Sequence, residues 1–308
     1  MEYRTLGATG LKVSVLGYGG SALSSFYDGF DEDRGIRAVR QALDLGINLL
    51  DTSPFYGFTS AETVLGKSLR GVSRDEYLLS TKVGRYGFEQ SDCDYSAKRV
   101  SASIDESLAR LGVDFVDFIQ VHDAEFADID QLVTETIPAL YRARDAGKVR
   151  FVGVTGLPIQ RFREILDRAN VDQIQSYCHC CLNDTALLDL LPPLQERRIA
   201  IFNAAPFAMR LLNAGTLPDW HPAPQQLRIK CAEAAQYCAE KGSDLAKIAL
   251  QYSVSHTEIP TTIVGTANPD RVISYVRHIN DTLDTELLSG VLEILEPVHN
   301  LTWQTVDA

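Results

Sequence analysis

The 308-residue sequence lacks a long hydrophobic run and is poor in basic residues. No window approaches the roughly 18 consecutive apolar residues that predict a membrane-spanning helix, and the first residues lack the apolar core of a secretory signal. Lysine and arginine total 29 against 41 aspartate and glutamate, a formal net charge of −12. So acidic a chain is a poor partner for nucleic acid or an anionic membrane, and we expect a soluble, cytoplasmic protein.

The six cysteines form no series of paired CxxC motifs, so we expect reduced thiols. One cluster, Cys178-His179-Cys180-Cys181, contains residue types that bind metals. A tetrahedral site normally needs a second, separated pair of ligands, and the sequence shows none. We therefore predict no metal site.

Short β-like runs alternate with helical patterns along the whole chain, and no linker or low-complexity stretch divides it. Hydrophobic residues make up 45% of the sequence, enough for a large core. Eight β-α units of roughly thirty residues predict an α/β fold, a (β/α)8 TIM barrel that forms one domain over residues 1–308. The predicted strands are Val13–Gly17, Ile47–Asp51, Tyr77–Lys82, Phe115–His122, Val149–Thr155, Gln173–Tyr177, Ile199–Ala204 and Ile259–Val264.

Three segments fall outside the eight units. Tyr3–Lys12 predicts a β-hairpin that plugs the bottom of the barrel. Met209–Ala223 predicts a long loop after the seventh strand, and Asp284–Leu295 an extra C-terminal helix followed by a tail. A doubly wound sheet is the rival fold, but it usually carries a G-x-G-x-x-G turn, and residues 17–21 lack the third glycine.

Four residues with acid–base chemistry lie near the ends of three successive predicted strands. Asp51, Lys82 and His122 each close a strand, and Tyr56 follows Asp51 by five positions. The carboxyl ends of parallel barrel strands share one face, so these side chains are expected to meet there.

A phenol, an ammonium, a carboxylate and an imidazole together suit proton transfer. A free tyrosine has a pKa near ~10, and a neighbouring ammonium lowers it by favouring the phenolate. A carboxylate can hold the lysine, and an imidazole can orient a substrate oxygen. The set contains no Ser-His-Asp nucleophile, so a separate redox agent must carry hydride.

These residues resemble the catalytic tetrad of the aldo-keto reductase family, and the resemblance covers essentially the whole chain. It implies that Tyr56 is the general acid/base, Lys82 its pKa partner, Asp51 the partner of the lysine, and His122 the orienting group. Similar stretches lie at residues 3–7, 10–14, 48–57, 80–82, 103–111 and 147–154.

The resemblance also implies a nicotinamide dinucleotide across the barrel mouth. Thr155-Gly156 departs from the family's usual Ser-Asn pair, and Ala204 replaces the aromatic that stacks on nicotinamide. Gly265 replaces a lysine common in NADP-dependent members, which favours NAD, although Arg271 could pair with a 2′-phosphate. The implied cofactor contacts are Gly20, Thr155, Gln175, Ala205, Pro206, Phe207, Ala208, Gly265, Thr266, Asn268 and Arg271.

A closer resemblance is to the branch of that family that contains L-galactose, L-fucose and D-arabinose dehydrogenases, on residues 153–158, 176–179, 183–192, 220–223 and 296–303. It implies NAD-dependent oxidation of an aldose at C1 to a lactone, with a small-molecule sugar as substrate. Candidate pocket residues are His179, Trp220, His221 and Trp303, for which ordinary loop packing is an equal alternative.

Two other functions stay open at this point. The tetrad can serve oxidation of an alcohol or reduction of a carbonyl, so an NADPH-dependent reductase of aldehydes or ketones fits the same residues. A non-enzymatic, nucleotide-sensing subunit, like the potassium-channel β subunits of this fold, is the second alternative.

Overall fold

The computed structural model describes residues 1–24, 26, 29–213, 217, 221–303 and 305. The chain begins with an antiparallel hairpin of β1 (Tyr3–Thr5) and β2 (Lys12–Ser14). Eight parallel strands then close a barrel, with the last pairing to the first. They are β3 (Leu16–Gly19), β4 (Leu49–Asp51), β5 (Leu78–Val83), β6 (Val116–Val121), β7 (Val149–Gly156), β8 (Gln173–Tyr177), β9 (Ala200–Ala204) and β10 (Thr261–Gly265). The predicted TIM barrel is confirmed.

Helices follow the strands and cover the outside of the barrel. A π-helical segment, Leu132–Thr136, joins the fourth α-helix to the fifth. The α-helices are α1 (Glu32–Asp44), α2 (Ser60–Ser68), α3 (Ala97–Leu111), α4 (Ile129–Gln131), α5 (Ile137–Asp145), α6 (Ile159–Arg168), α7 (Leu191–Glu196), α8 (Gln225–Glu240), α9 (Leu245–Ser255), α10 (Pro269–Asn280) and α11 (Thr285–Leu295). None of the helices described is long and apolar enough to cross a membrane.

The hairpin plugs the barrel bottom as predicted. Leu6, in its turn, is fully buried in the inner core with Phe118 of β6 and Phe202 of β9. The predicted first strand was misplaced, because Val13–Gly17 spans the end of β2 and the start of β3. The backbone N–H of Val15 donates to Glu2 O between these two strands, so the chain changes partners there.

Two helical predictions needed correction. The prediction assigned no helix to α9, although Asp244 caps it and its buried Leu245, Ile248 and Ala249 have helical spacing. The predicted eight β-α units have one helix each, and α9 is a second helix between β9 and β10. One helix in each β-α unit predicts a single helix over Thr185–Arg197, but the structure has a 3-10 segment, Ala186–Leu190, followed by α7. The prolines lie in the first turn of α7, where a proline loses no helical bond.

Strand register sets the positions of the candidate site residues. Asp51 pairs with Ser80, and Lys82 pairs with Gln120 one strand further on. The backbone N–H of His122 donates to Val83 O, which extends the ladder past the end of β6. Three strand ends therefore bring a carboxylate, an ammonium and an imidazole to the carboxyl face of the barrel.

Candidate active site

A buried ion pair lies at the centre of the barrel mouth. Lys82 Nζ is 2.6 Å from Asp51 Oδ2, and the two side chains are 1% and 3% exposed. The same ammonium donates to Thr52 O at 2.8 Å. Removing two charges from water is costly unless they are paired and hydrogen-bonded, and this pair meets both conditions. The lysine ammonium is therefore fixed in position.

Tyr56 lies over this pair in the loop after β4. Its ring centroid is 5.1 Å from Lys82 Nζ and 5.7 Å from the ring centroid of His122, with the two rings perpendicular. The loop holds the tyrosine through a turn in which Tyr56 N–H donates to Ser53 O. The structure thus brings together all four residues of the predicted tetrad.

Ser53 determines how His122 is oriented. Its Oγ lies 3.0 Å from His122 Nδ1 and accepts the N–H of Phe55 at 3.1 Å. The Asp123 carboxylate, 3.8 Å from Nε2, favours a proton on that nitrogen, so we assign a neutral imidazole in which Nδ1 accepts from the serine hydroxyl. Burial lowers the pKa of His122 to about 3; the Asp123 carboxylate opposes this shift, and Lys82 and Arg85 add to it. The imidazole is a neutral hydrogen-bond donor at physiological pH.

An amide relay lies beside the ion pair inside the barrel. Gln120 Nε2 donates to Ser80 Oγ at 2.7 Å and to Gln175 Oε1 at 3.2 Å. Gln175 Nε2 is in turn 3.4 Å from Asp51 Oδ2, a long contact. Gln175, which was predicted as a cofactor contact, therefore lies next to the tetrad with its amide plane fixed.

Two charged residues that the sequence analysis did not predict border His122. Asp123 forms an ion pair with Arg85, and its Oδ2 lies 3.8 Å from His122 Nε2. Asp123 directly follows His122, and Arg85 follows Lys82 by three positions. Both positions lie in loops at the carboxyl ends of strands, where barrel sites are built, and that signal could have found them.

The implied cofactor residues after β3 and β10 lie side by side across the closing strands of the barrel. Tyr18 donates its hydroxyl proton to Thr266 O at 2.6 Å, which ties β3 to this loop. A Cβ on Gly265 would lie 2.9 Å from Gly19 O, and one on Gly20 would lie 3.1 Å from Asp51 O. A side chain at position 265 would therefore force the closing strands to shift, and one at position 20 would need its neighbours to move by a few tenths of an ångström.

The helix that follows this loop begins with a capped turn. Asn268 Oδ1 accepts the N–H of Asp270 and caps α10, and Arg271 lies in the first turn, close to Tyr275. The Tyr275 ring packs on Phe207, with ring centroids 5.6 Å apart. The loop that contains Ala205, Pro206, Phe207 and Ala208 therefore adjoins this helix.

Thr155 and Ala204 are both buried. The Thr155 hydroxyl oxygen accepts the N–H of Asp123 at 3.1 Å, so the threonine supports the residue after His122. Ala204 is 8% exposed and belongs to the inner core. Their roles toward a cofactor stay predictions.

The candidate pocket residues from the loops are mainly engaged in holding those loops. His179 Nδ1 lies 2.9 Å from Asp184 Oδ1, with both side chains buried. His221 accepts the N–H of Ala223 and contacts Ala208 O, and its ring lies against Trp303. Trp220 lies outside the described residues. These contacts favour the packing alternative, and a substrate role stays a prediction.

The cysteine cluster gathers no ligand set. Across the described part of the chain, no three His, Cys, Asp or Glu side chains are placed to hold a metal ion. Burial raises the pKa of the Cys178, Cys180 and Cys181 thiols, which keeps them protonated. These thiols pack as small apolar groups.

The Aldo/keto reductase family model matches residues 15–296. The chain belongs to the aldo/keto reductase family. L-galactose dehydrogenase of Arabidopsis thaliana is 46% identical over 312 residues, which cover 98% of this chain and 97% of that protein. D-arabinose 1-dehydrogenase of Saccharomyces cerevisiae is 32% identical over 260 residues, covering 79% and 76%.

Solved structures agree with the family assignment. A holo-form aldo-keto reductase from Bacillus halodurans superimposes with a TM-score of 0.79 at 28% identity, covering 99% of this chain and 98% of that one. The predicted class of enzyme is confirmed, an oxidoreductase that acts on CH–OH groups. Enzymes of this family use nicotinamide cofactors and small-molecule substrates.

Proposed function

We propose that this chain is an NAD-dependent aldose 1-dehydrogenase that oxidises L-galactose, or the related L-fucose or D-arabinose, at C1 to the lactone. The observation that carries the proposal is the buried Lys82–Asp51 pair, which lies against the Tyr56 ring beside a neutral His122. The similarity to L-galactose dehydrogenase over nearly the whole chain supports a sugar as the substrate.

Tyr56 is the proposed proton acceptor. The ammonium of Lys82, held by Asp51 and Thr52 O, stabilises the phenolate form of the tyrosine. Because the ion pair is buried, its electrostatic effect on the phenol is screened less than it would be in water. The phenolate removes the proton of the C1 hydroxyl as the C1–H bond breaks.

His122 is the proposed orienting group. With Nδ1 accepting from Ser53, its Nε2–H is directed outward and donates to the C1 oxygen. A pKa of about 3 keeps it neutral, so it does not compete with Tyr56 for the proton. Bound NAD+ supplies the hydride acceptor, which no side chain of the tetrad provides. The products are NADH and a 1,5-lactone, which can rearrange to the 1,4-lactone.

The residues that border the closing strands fit a dinucleotide. Gly20 and Gly265 let the backbone segments at the closing strands pack closely together, and the capped N-terminus of α10 favours a phosphate, although Asp270 in its first turn opposes this. Gln175 lies where it can meet a carboxamide beside the tetrad.

The same region supports NAD over NADP. A lysine at position 265 would place its Cβ 2.9 Å from Gly19 O, so the strand pairing would have to shift to accept it. Arg271 lies close to Tyr275 in the first turn of α10. Removal of that arginine, Arg271→Ala, is expected to leave NAD+-dependent turnover unchanged and to abolish any residual turnover with NADP+.

A substrate panel tests the proposal. Purified protein is assayed for NADH or NADPH formation at 340 nm with L-galactose, L-fucose, D-arabinose, D-galactose and D-glucose, and Tyr56→Phe is the blank. Selective NADH formation with L-galactose or its two relatives supports the proposal. If no sugar of the panel gives NADH or NADPH, and the protein reduces simple aldehydes with NADPH, a general reductase function would replace the proposed one.

A further inference from the structure

The ion pair of Asp123 and Arg85 lies at the edge of the tetrad but has no part in the proton transfer described above. Asp123 Oδ2 is 3.8 Å from His122 Nε2, the atom that donates to the C1 oxygen. The side chains are 7% and 16% exposed, so the pair is largely desolvated but still open to the mouth. A substrate that contacts His122 lies within reach of this pair.

The backbone holds Asp123 in an unusual conformation. Its φ of 45° lies in the left-handed region. Three contacts fix it there: its N–H donates to Thr155 Oγ1, and the Tyr95 hydroxyl lies 2.8 Å from His122 O and 3.1 Å from Asp123 O. Such strain persists only where the surroundings over-determine it, and it concentrates at functional sites.

Arg85 is held as firmly as its partner. Its guanidinium is stacked between the rings of Phe55 and Phe126, 4.5 and 4.3 Å from their centroids. Its Nε donates to Gly87 O at 3.4 Å, and its Nη1 bonds Asp123. A stacked guanidinium presents its donors in one plane, and one of them, Nη1, is bonded to Asp123.

The chemistry of the pair complements a hydroxyl group. A carboxylate only accepts hydrogen bonds and a guanidinium only donates them, whereas a hydroxyl does both. On an aldose, the hydroxyl on C2 is a hydrogen-bond length from the oxygen on C1. With O1 against His122 Nε2, a sugar whose C2 faces the ion pair has its C2 hydroxyl within hydrogen-bonding reach of Asp123 Oδ2.

We infer that Asp123 and Arg85 bind the C2 hydroxyl of the sugar, with Asp123 accepting a hydrogen bond from the hydroxyl and Arg85 donating one to its oxygen. The inference rests on the proposed aldose 1-dehydrogenase function and names two specificity residues for it. It explains why a largely buried ion pair is kept at the mouth, where desolvation makes such a pair a poor source of stability alone.

Sugars that lack the C2 hydroxyl test the inference. L-galactose is compared with 2-deoxy-L-galactose, and D-arabinose with 2-deoxy-D-ribose, which is D-arabinose without that hydroxyl. We expect kcat/KM of the wild type to be about 10- to 100-fold lower for each deoxy sugar, the scale of one charged hydrogen bond. Equal kcat/KM values for the paired sugars would overturn the inference.

The variant Asp123→Asn is assayed with the same pairs of full and deoxy sugars as the wild type. Asparagine keeps the shape and tolerates the left-handed backbone, but it lacks the charge. We expect kcat/KM for the full sugar to fall about 10- to 100-fold and the penalty for the deoxy sugar to shrink to within about threefold. If the deoxy sugar lowers kcat/KM as much in the variant as in the wild type, the pair acts only through the position of His122. That result would also overturn the inference.

Asp117→Asn is the matched control. Asp117 is a buried carboxylate paired with Arg74 and Arg150 at the opposite end of the barrel. The loss of these ion pairs should lower the free energy of unfolding. The ratio of kcat/KM between each full sugar and its deoxy counterpart should be unchanged. NADH binding, followed by fluorescence, should be unchanged in Asp123→Asn.

Two further outcomes separate the inference from the proposed function. If Asp123→Asn fails to fold, Arg85→Lys replaces it, because lysine keeps the charge but loses the stacked plane, and the same shrinkage of the deoxy penalty is expected. If the wild type oxidises none of the full sugars, the proposed function fails and the inference falls with it; if it oxidises full and deoxy sugars alike, the inference alone fails.

Discussion

Lys82 Nζ and Asp51 Oδ2 lie 2.6 Å apart in the barrel mouth, and both side chains are almost fully buried. Neither group reaches bulk water, and each is the other's counter-charge. The pair therefore couples the stability of the fold to the position of the ammonium under Tyr56. A variant that restores stability without restoring the ammonium shows whether turnover depends on the stability of the fold or on the charge under Tyr56.

We expect Lys82→Met to abolish turnover and to lower the free energy of unfolding by about 3–5 kcal/mol, because Asp51 is left as an unpaired buried charge. The double variant Lys82→Met/Asp51→Asn should recover much of that stability without recovering turnover. Urea unfolding and NADH formation measure the two quantities.

Glu62→Gln is the control for this experiment. Glu62 is a fully buried carboxylate paired with Arg110 on the outside of the barrel. Its loss should lower stability with turnover intact. Turnover that returns together with stability in the double variant would contradict the role assigned to Lys82.

We expect Ser53→Ala to lower kcat by about 3- to 10-fold, because the variant loses one neutral hydrogen bond that holds the His122 tautomer. The ¹⁵N chemical shifts of His122 should show the wild-type proton on Nε2 and a mixture of tautomers in the variant. Ser68→Ala is the control, since that hydroxyl donates to Val64 O within α2. Identical ¹⁵N shifts in wild type and Ser53→Ala would reject the tautomer assignment.

Glu125 predicts a pH dependence of stability. Burial first, and then the Asp123 carboxylate, raise its pKa from 4.5 to about 7. Its Oε1 accepts from Leu157 N–H and Thr305, while Oε2 has no partner among the described residues. Between pH 4.5 and 7 the folded state binds a proton that the unfolded state has lost, so this group's contribution to stability falls as the pH rises.

Glu125→Gln isolates that contribution. At pH 5 the variant and the wild type should have similar free energies of unfolding, because both side chains are neutral. At pH 8.5 the variant should be more stable by on the order of 3 kcal/mol, the cost of ionising the buried acid. Urea unfolding at the two pH values measures this, and a difference independent of pH would reject the raised pKa.

Much of the fold and the core of the site could be predicted from the sequence. The strand Gln173–Tyr177 has the predicted bounds, and the other barrel strands from β4 onward agree within two residues, because apolar runs closed by polar residues mark buried parallel strands. The proximity of Asp51, Lys82 and His122 followed from the topology, since barrel closure brings the strand ends to one face, and their catalytic roles stay a prediction.

Contacts between loops could not be predicted in the same way. The Arg85–Asp123 pair depends on a left-handed backbone at Asp123, and no periodic pattern encodes such a conformation. The bond from Ser53 to His122 depends on the turn that ends in Tyr56. Each of these contacts joins segments that are remote in sequence, so local spacing carries no signal for it.

In the proposed reaction, hydride leaves C1 of an aldose for NAD+ while Tyr56 takes the hydroxyl proton. The most direct measurement uses sugar deuterated at C1, first L-galactose and then D-arabinose, with mass spectrometry of the NADH and the lactone. We expect deuterium in NADH and none at C1 of the lactone. NADH without deuterium, or label retained in the sugar product, would contradict it.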